Sequence, residues 1–129
     1  LLESYGAARA AQRITPEGIA ELRRLAEEQY HEVLTKGDGY LDRIGDLNSQ
    51  FHRRIHEFAG STRLVTALAA LIEAPLMMKT LQTYQDEDLI RSASHHLEIV
   101  RALEARDGEW SAALMRSHIL AARGAMRLL

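Results

Sequence analysis

Apolar residues recur along this chain at spacings of three and four, the pattern of helices that bury one face. Only two prolines occur, and abundant Ala, Leu, Arg and Glu favour helix almost throughout. Breaks fall at Thr15-Pro16, at 36–39, at Gly60 and at Asp107-Gly108. The pattern predicts an all-α fold, an antiparallel bundle of six or seven helices. The predicted helices cover about 1–13, 16–35, 40–59, 62–74, 87–106 and 109–128, and Pro75 interrupts the fourth before a shorter apolar turn that continues from 76 toward 84.

Length and composition limit what the chain can do alone. Its 129 residues fit one domain, 1–129, and a formal charge of −2 offers no broad cationic surface for nucleic acid. The absence of cysteine excludes disulfides and thiolate metal sites. No apolar run approaches the roughly 20 residues of a membrane span, so we expect no membrane contact. The chain opens within a helix and without Met, so we expect it to be a piece of a longer protein.

Four polar residues lie on the predicted apolar faces of three helices. Asn48 and His52 are one turn apart on the third predicted helix, and His96 and His118 lie on the two long helices near the end. A single inward histidine is more often a hydrogen-bonded core residue than a ligand. Three on converging helices, with an amide oxygen one turn away, indicate a divalent metal site, because neutral imidazole is a common ligand for zinc, nickel and related ions.

Three nearby residues are secondary candidates. His56 lies one turn beyond His52 and Arg91 about one turn before His96, and both are candidate contacts for a bound effector. A solvent-exposed position is the alternative for each. His95 is rotated by about 100° from His96, toward Arg91 and Glu98, so we expect it not to touch the ligands.

Several short motifs, in order, resemble one family over most of the chain. These are Leu2-Glu3 with Ala10-Ala11-x-Arg13-x-Thr15, Asn48-x-x-Phe51-His52 with Ala59-Gly60, His96-x-x-Ile99-Val100-x-Ala102-Leu103, and Met115-Arg116-x-His118-Ile119. The chain resembles the FCD domain, the ligand-binding C-terminal domain of FadR-type GntR transcription regulators. It departs from the family pattern at Asn48, where many members carry Asp, which should weaken or retune a metal site.

The resemblance implies a metal-dependent sensor. Asn48, His52, His96 and His118 would occupy the metal-ligand positions, with zinc expected and nickel or another transition metal as alternatives. A small organic acid or sugar acid would bind beside the metal. The family further implies a homodimer, a cytoplasmic location, and operator DNA bound only through an N-terminal winged helix-turn-helix that is absent from these residues.

Two other classes of function compete with this interpretation. A metal held by three nitrogens with an open position also suits a hydrolase, but no Asp or Glu falls on the apolar stripes beside the three histidines to act as a general base. That absence favours sensing over turnover. A structural helical dimerisation module is the second alternative. It predicts no ligand cavity, whereas small residues near the histidines suggest space, namely Ala93, Ala121, Ala122 and Ala125.

Overall fold

Helices account for almost the whole structure. The computed structural model describes residues 1–71 and 74–126, the side chains of residues 71 and 74–78 excepted. Within these residues the chain forms seven helices and no strand, so the predicted all-α bundle is confirmed. They are α1 (Leu2–Arg13), α2 (Pro16–Thr35), α3 (Tyr40–Phe58), α4 (Thr62–Leu71), α5 (Ala74–Thr83), α6 (Asp86–Glu104) and α7 (Gly108–Ala125).

The predicted helix boundaries agree with the structure to within a few residues, with one larger difference. The segment predicted as a short turn of helix after Pro75 is a ten-residue helix, α5. The last residues predicted for the fourth and final helices, 72–73 and 127–128, lie outside the described residues.

Local sequence signals explain where the helices begin and end. Thr15 caps α2 by accepting a hydrogen bond from the Gly18 amide at 3.0 Å, and Ser61 caps α4 by accepting one from the Leu64 amide at 3.2 Å. Gly60, between α3 and α4, has a φ of +73°, which glycine adopts without the strain of a Cβ atom. The two caps fix where α2 and α4 begin, and Gly60 allows the chain to change direction between α3 and α4.

The core lies where α1, α2, α3, α6 and α7 meet. Helix α1 packs against α7 and α3, α2 packs against α3 and α6, and α6 packs against α7. Within this arrangement α3, α6 and α7 each contribute buried histidines to a polar region in the interior. The largest cluster of buried residues comprises Ala7, Ala10, Ala11, Ile14, Ile19, Leu22, Leu25, Ala26, Phe51, Ile55, Ile99, Val100, Leu103 and Met115.

Among the described residues, none of the helices combines the length and the apolar character needed to cross a bilayer.

Candidate metal centre

Three buried histidines from three helices meet in the core. His52 of α3, His96 of α6 and His118 of α7 are 5%, 0% and 6% exposed. Their Nε2 atoms form a nearly equilateral triangle. The separations are 3.2 Å between His52 and His96, 3.1 Å between His96 and His118, and 3.3 Å between His118 and His52. The prediction that these three residues face the same interior region is therefore confirmed by the geometry.

Packing holds the rings in place. The Phe51 ring stacks on His96 with centroids 4.2 Å apart and planes 14° from parallel. His52 and His118 stack on each other at 5.2 Å and 22°. Rings confined in this way lose little further freedom when they bind a ligand, which favours a preformed site.

A buried glutamine on α2 sets the tautomer of His96. Gln29 is 2% exposed, and its Oε1 atom lies 2.7 Å from the Nδ1 atom of His96. An amide oxygen only accepts hydrogen bonds, so Nδ1 of His96 carries the proton. The Nε2 atom of neutral His96 therefore presents its lone pair to His52 and His118.

A carboxylate from the first turn of α1 lies behind His52. The Oε2 atom of Glu3 is 3.5 Å from Nδ1 of His52 and 2.7 Å from Nε2 of His56. Burial by itself would raise the pKa of the Glu3 carboxyl, but the adjacent imidazoles of His52 and His56 outweigh it and hold the pKa well below its usual range. Glu3 is thus an anion at neutral pH. The prediction concerned only the apolar stripes of the helices that carry the histidines, whereas Glu3 brings a carboxylate to His52 from a different helix.

His95 also contacts the cluster, contrary to the expectation that it would not touch the ligands. Its Nδ1 atom lies 3.3 Å from Nδ1 of His118, and its side chain is half-buried. The two rings meet edge to face, with centroids 5.5 Å apart. Each of the three central histidines therefore has a polar group at its Nδ1 atom: Gln29 for His96, Glu3 for His52 and His95 for His118. Such outer partners are typical of metal-binding histidines, whose orientation and basicity they set.

Two of the central histidines, His96 and His118, are held in their neutral form. Burial, together with the positive charge that the neighbouring imidazoles would carry, lowers the pKa of His96 and of His118 well below its usual range. Neutral imidazole is the form that binds metals.

The donor set fits a divalent transition metal. The three Nε2 atoms lie 3.1–3.3 Å apart, and the single lone pair on Nε2 of His96 can accept only one hydrogen bond. Hydrogen bonds among the three atoms therefore cannot satisfy all of them. Two nitrogens bound to a tetrahedral zinc ion at about 2.0–2.1 Å lie about 3.3–3.4 Å apart. The observed separations agree with that spacing to about 0.2 Å, so one cation would satisfy all three nitrogens.

The remaining predicted site residues lie near this centre. Asn48 is half-buried one turn before His52 on α3, and its role as a fourth ligand stays a prediction. His56 is 4% exposed, so the alternative of a surface position is wrong for this residue. Arg91 pairs with Asp88 at 3.0 Å, and its side chain is 39% exposed. Burial, and after it the charge of Arg91, lowers the pKa of His95.

Comparison with known proteins identifies the fold and the family. The family model described as the FCD domain matches residues 1–121. No curated protein is significantly similar in sequence. The solved structure of E. coli McbR/YncC superposes with a TM-score of 0.76 at 22% identity, over 95% of this chain and 63% of that one. The chain thus spans less than two thirds of the length of that similar structure. Because the family model covers nearly all of its residues, the chain belongs to the FCD domain family, the regulatory domain of FadR-type GntR transcription regulators.

Proposed function

We propose that this domain is a sensor that binds one divalent transition metal ion, zinc or alternatively nickel, through the Nε2 atoms of His52, His96 and His118. The observation that carries the proposal is the triangle of these atoms, with edges of 3.1–3.3 Å. Asn48 is the proposed fourth protein ligand, because it lies on the same face of α3 one turn before His52. When bound, the metal would act as a Lewis acid and could coordinate an oxygen atom of a further ligand.

The proposed effector is a small organic acid or sugar acid. His95 contacts His118, and Arg91 lies one turn before His95 on α6, so we propose that both bind the acidic or hydroxyl groups of such a molecule on that side of the histidines. Arg91 supports this role because its Nε atom is buried and makes no hydrogen bond within the described residues. A guanidinium can bind a carboxylate through two parallel hydrogen bonds, which gives both strength and orientation.

Helix α1 offers a route by which effector binding would be transmitted. Glu3, in the first turn of α1, lies beside His52. A shift of the His52 ring on ligand binding would therefore act on the beginning of this helix. In the proposed full regulator a winged helix-turn-helix precedes α1 and reads operator DNA as a homodimer in the cytoplasm. The effector would change DNA binding only if its affinity differs between two arrangements of the domain, typically by about 1–3 kcal/mol.

An enzymatic role is less well supported by the geometry. Glu3 is the nearest described carboxylate, but it lies at Nδ1 of His52, on the opposite side of the ring from Nε2. In that position the carboxylate does not face the three converging nitrogens. A hydrolase would require a base on the Nε2 side.

Thermal unfolding with and without Zn²⁺ tests the proposed function. Metal at about 100 times its Kd should stabilise the domain by about 2.7 kcal/mol. Organic acids should then raise the Tm of the metal-loaded protein and not of the chelator-treated protein. The variant His118→Ala should lose the tightly bound ion and with it the effect of organic acids, whereas His31→Ala, at an exposed position on α2, should retain both. Equal stabilisation by acids with and without metal would refute the metal-dependent mode of binding.

A further inference from the structure

A second group of potential ligands adjoins the central triangle. It consists of Glu3, His56 and the Nδ1 atom of His52, and its ligand atoms all lie within 4.8 Å of one another. Glu3 Oε2 is 2.7 Å from His56 Nε2 and 3.5 Å from His52 Nδ1. The side chains are largely enclosed, with exposures of 12% for Glu3, 5% for His56 and 7% for His52.

The polar groups in this cluster are incompletely satisfied. The Nδ1 atom of His52 is buried and makes no hydrogen bond within the described residues, since its contact with Glu3 is long and poorly aligned. Leaving such an atom without a partner costs free energy. Removing the Glu3 carboxylate from water also costs free energy, which the adjacent imidazoles offset. Two imidazole nitrogens and one carboxylate oxygen are a ligand set that zinc and related ions bind.

We infer that Glu3, His56 and Nδ1 of His52 form a second divalent cation site, between the first turn of α1 and the end of α3. The second site would share His52 with the central triangle, using the other nitrogen of the same ring. It would also fix the beginning of α1 to α3, because one ligand belongs to α1 and two belong to α3.

Sharing His52 makes the two sites compete. A neutral imidazole has one lone pair, on either Nδ1 or Nε2, and its other nitrogen carries a proton. A cation at the triangle requires the lone pair on Nε2, and a cation at the second site requires it on Nδ1. Full occupancy of both sites therefore requires His52 to release its remaining proton to solvent as both metal–nitrogen bonds form. The competition rests on the metal site proposed above, whereas the existence of the second site does not.

Equilibrium dialysis against Co²⁺ or Zn²⁺, followed by elemental analysis, tests the inference. The unaltered domain should bind two cations per chain, the second about tenfold or more weakly than the first. His56→Asn and Glu3→Gln should each bind one. Asn can still donate a hydrogen bond to Glu3, so the first variant removes the ligand while keeping the buried pair polar. His31→Ala, which removes an exposed histidine, should still bind two.

The variant His118→Ala distinguishes this inference from the proposed function. It should lose the tight cation and retain one at the second site, bound more tightly than the second cation of the unaltered domain because the competition is relieved. Saturation at one cation in the unaltered domain, or two cations in both His56→Asn and Glu3→Gln, would overturn the second site and leave the triangle intact. Loss of a cation in those variants with none lost in His118→Ala would instead support the second site and contradict the triangle.

Discussion

Replacing Gln29 with Met should weaken metal binding more than it weakens the fold. The side chain is 2% exposed, and its Oε1 atom accepts the proton on Nδ1 of His96 at 2.7 Å. Met has a similar length and no acceptor of comparable strength, so packing changes little while the hydrogen bond is lost. A buried N–H left without a partner costs about 1–3 kcal/mol.

His96 can avoid part of that cost by moving its proton to Nε2, where Nε2 of His52 lies 3.2 Å away. This rearrangement places a proton on the nitrogen that the metal needs. We therefore expect the metal-free domain to lose at most about 1–3 kcal/mol, roughly 4 °C in Tm for each kcal/mol in a domain of this length. We expect metal affinity to fall by about 10- to 100-fold, the usual effect of losing an outer partner of a histidine ligand.

Competition with a chromophoric chelator would measure the Kd for Zn²⁺, and thermal unfolding in excess chelator would measure the stability of the metal-free domain. Gln29→Glu keeps an acceptor at Nδ1 of His96 and should bind metal within about tenfold of the unaltered domain. Gln12→Met, at an exposed position on α1, controls for the substitution itself. Unchanged Zn²⁺ affinity in Gln29→Met would refute the role of Gln29 in setting the tautomer of His96.

Acidification should destabilise the metal-free domain below about pH 6.5. Because burial lowers the pKa of His96 and of His118, the unfolded chain takes up protons that the folded one does not, and stability falls by about 1.4 kcal/mol per pH unit for each residue. Urea unfolding between pH 8 and pH 5 measures this effect, and a flat profile would contradict the burial of neutral imidazoles. Gly18→Ala should destabilise the fold by about 1–3 kcal/mol, because a Cβ atom would overlap the Phe58 ring at Cζ, with Cε2 and Cε1 also only 2.8 and 2.9 Å away. Gly124→Ala, where a Cβ atom meets nothing within 4 Å, should be neutral or stabilising by up to about 1 kcal/mol in the same urea assay. Equal effects of the two glycine substitutions would contradict the packing of α2 against α3.

The bundle was predictable because the sequence carries clear signals for where its helices begin and end. Thr15-Pro16, Gly60-Ser61 and Asp107-Gly108 separate helices whose apolar stripes repeat every three or four residues, and each separation appears in the structure. The extent of α5 was not predictable from the sequence, because a proline usually interrupts a helix. Pro75 instead lies near the beginning of α5, where proline is tolerated.

The central histidines were predictable because each lies on the apolar stripe of its own helix. Their partners were not, since contacts between helices depend on how the helices pack. Two signals were nevertheless present. Gln29 lies four residues from both Leu25 and Val33, in the middle of the buried stripe of α2. Glu3 lies four residues before Ala7, which is fully buried on α1. A polar residue on an apolar stripe requires a buried partner, and that reasoning applies to these two residues as well as to the histidines.

His95 shows the limit of reasoning from one helix alone. Its position is rotated from that of His96, as expected, but α7 packs against α6 closely enough for His118 to reach it. The angle around a single helix predicts which residues face its own core side. It does not predict which residues a neighbouring helix contacts at the edge of that face.

The most direct test of the metal centre is ¹⁵N NMR of the histidine rings before and after one equivalent of Zn²⁺. This measurement reports, for each ring, which nitrogen carries the proton and which binds a metal. We predict that Nε2 of His52, His96 and His118 becomes metal-bound while their Nδ1 atoms stay protonated, and that the exposed His31 is unchanged. Unchanged Nε2 signals from these three residues, or zinc bound through Nδ1 of His96, would contradict the central claim.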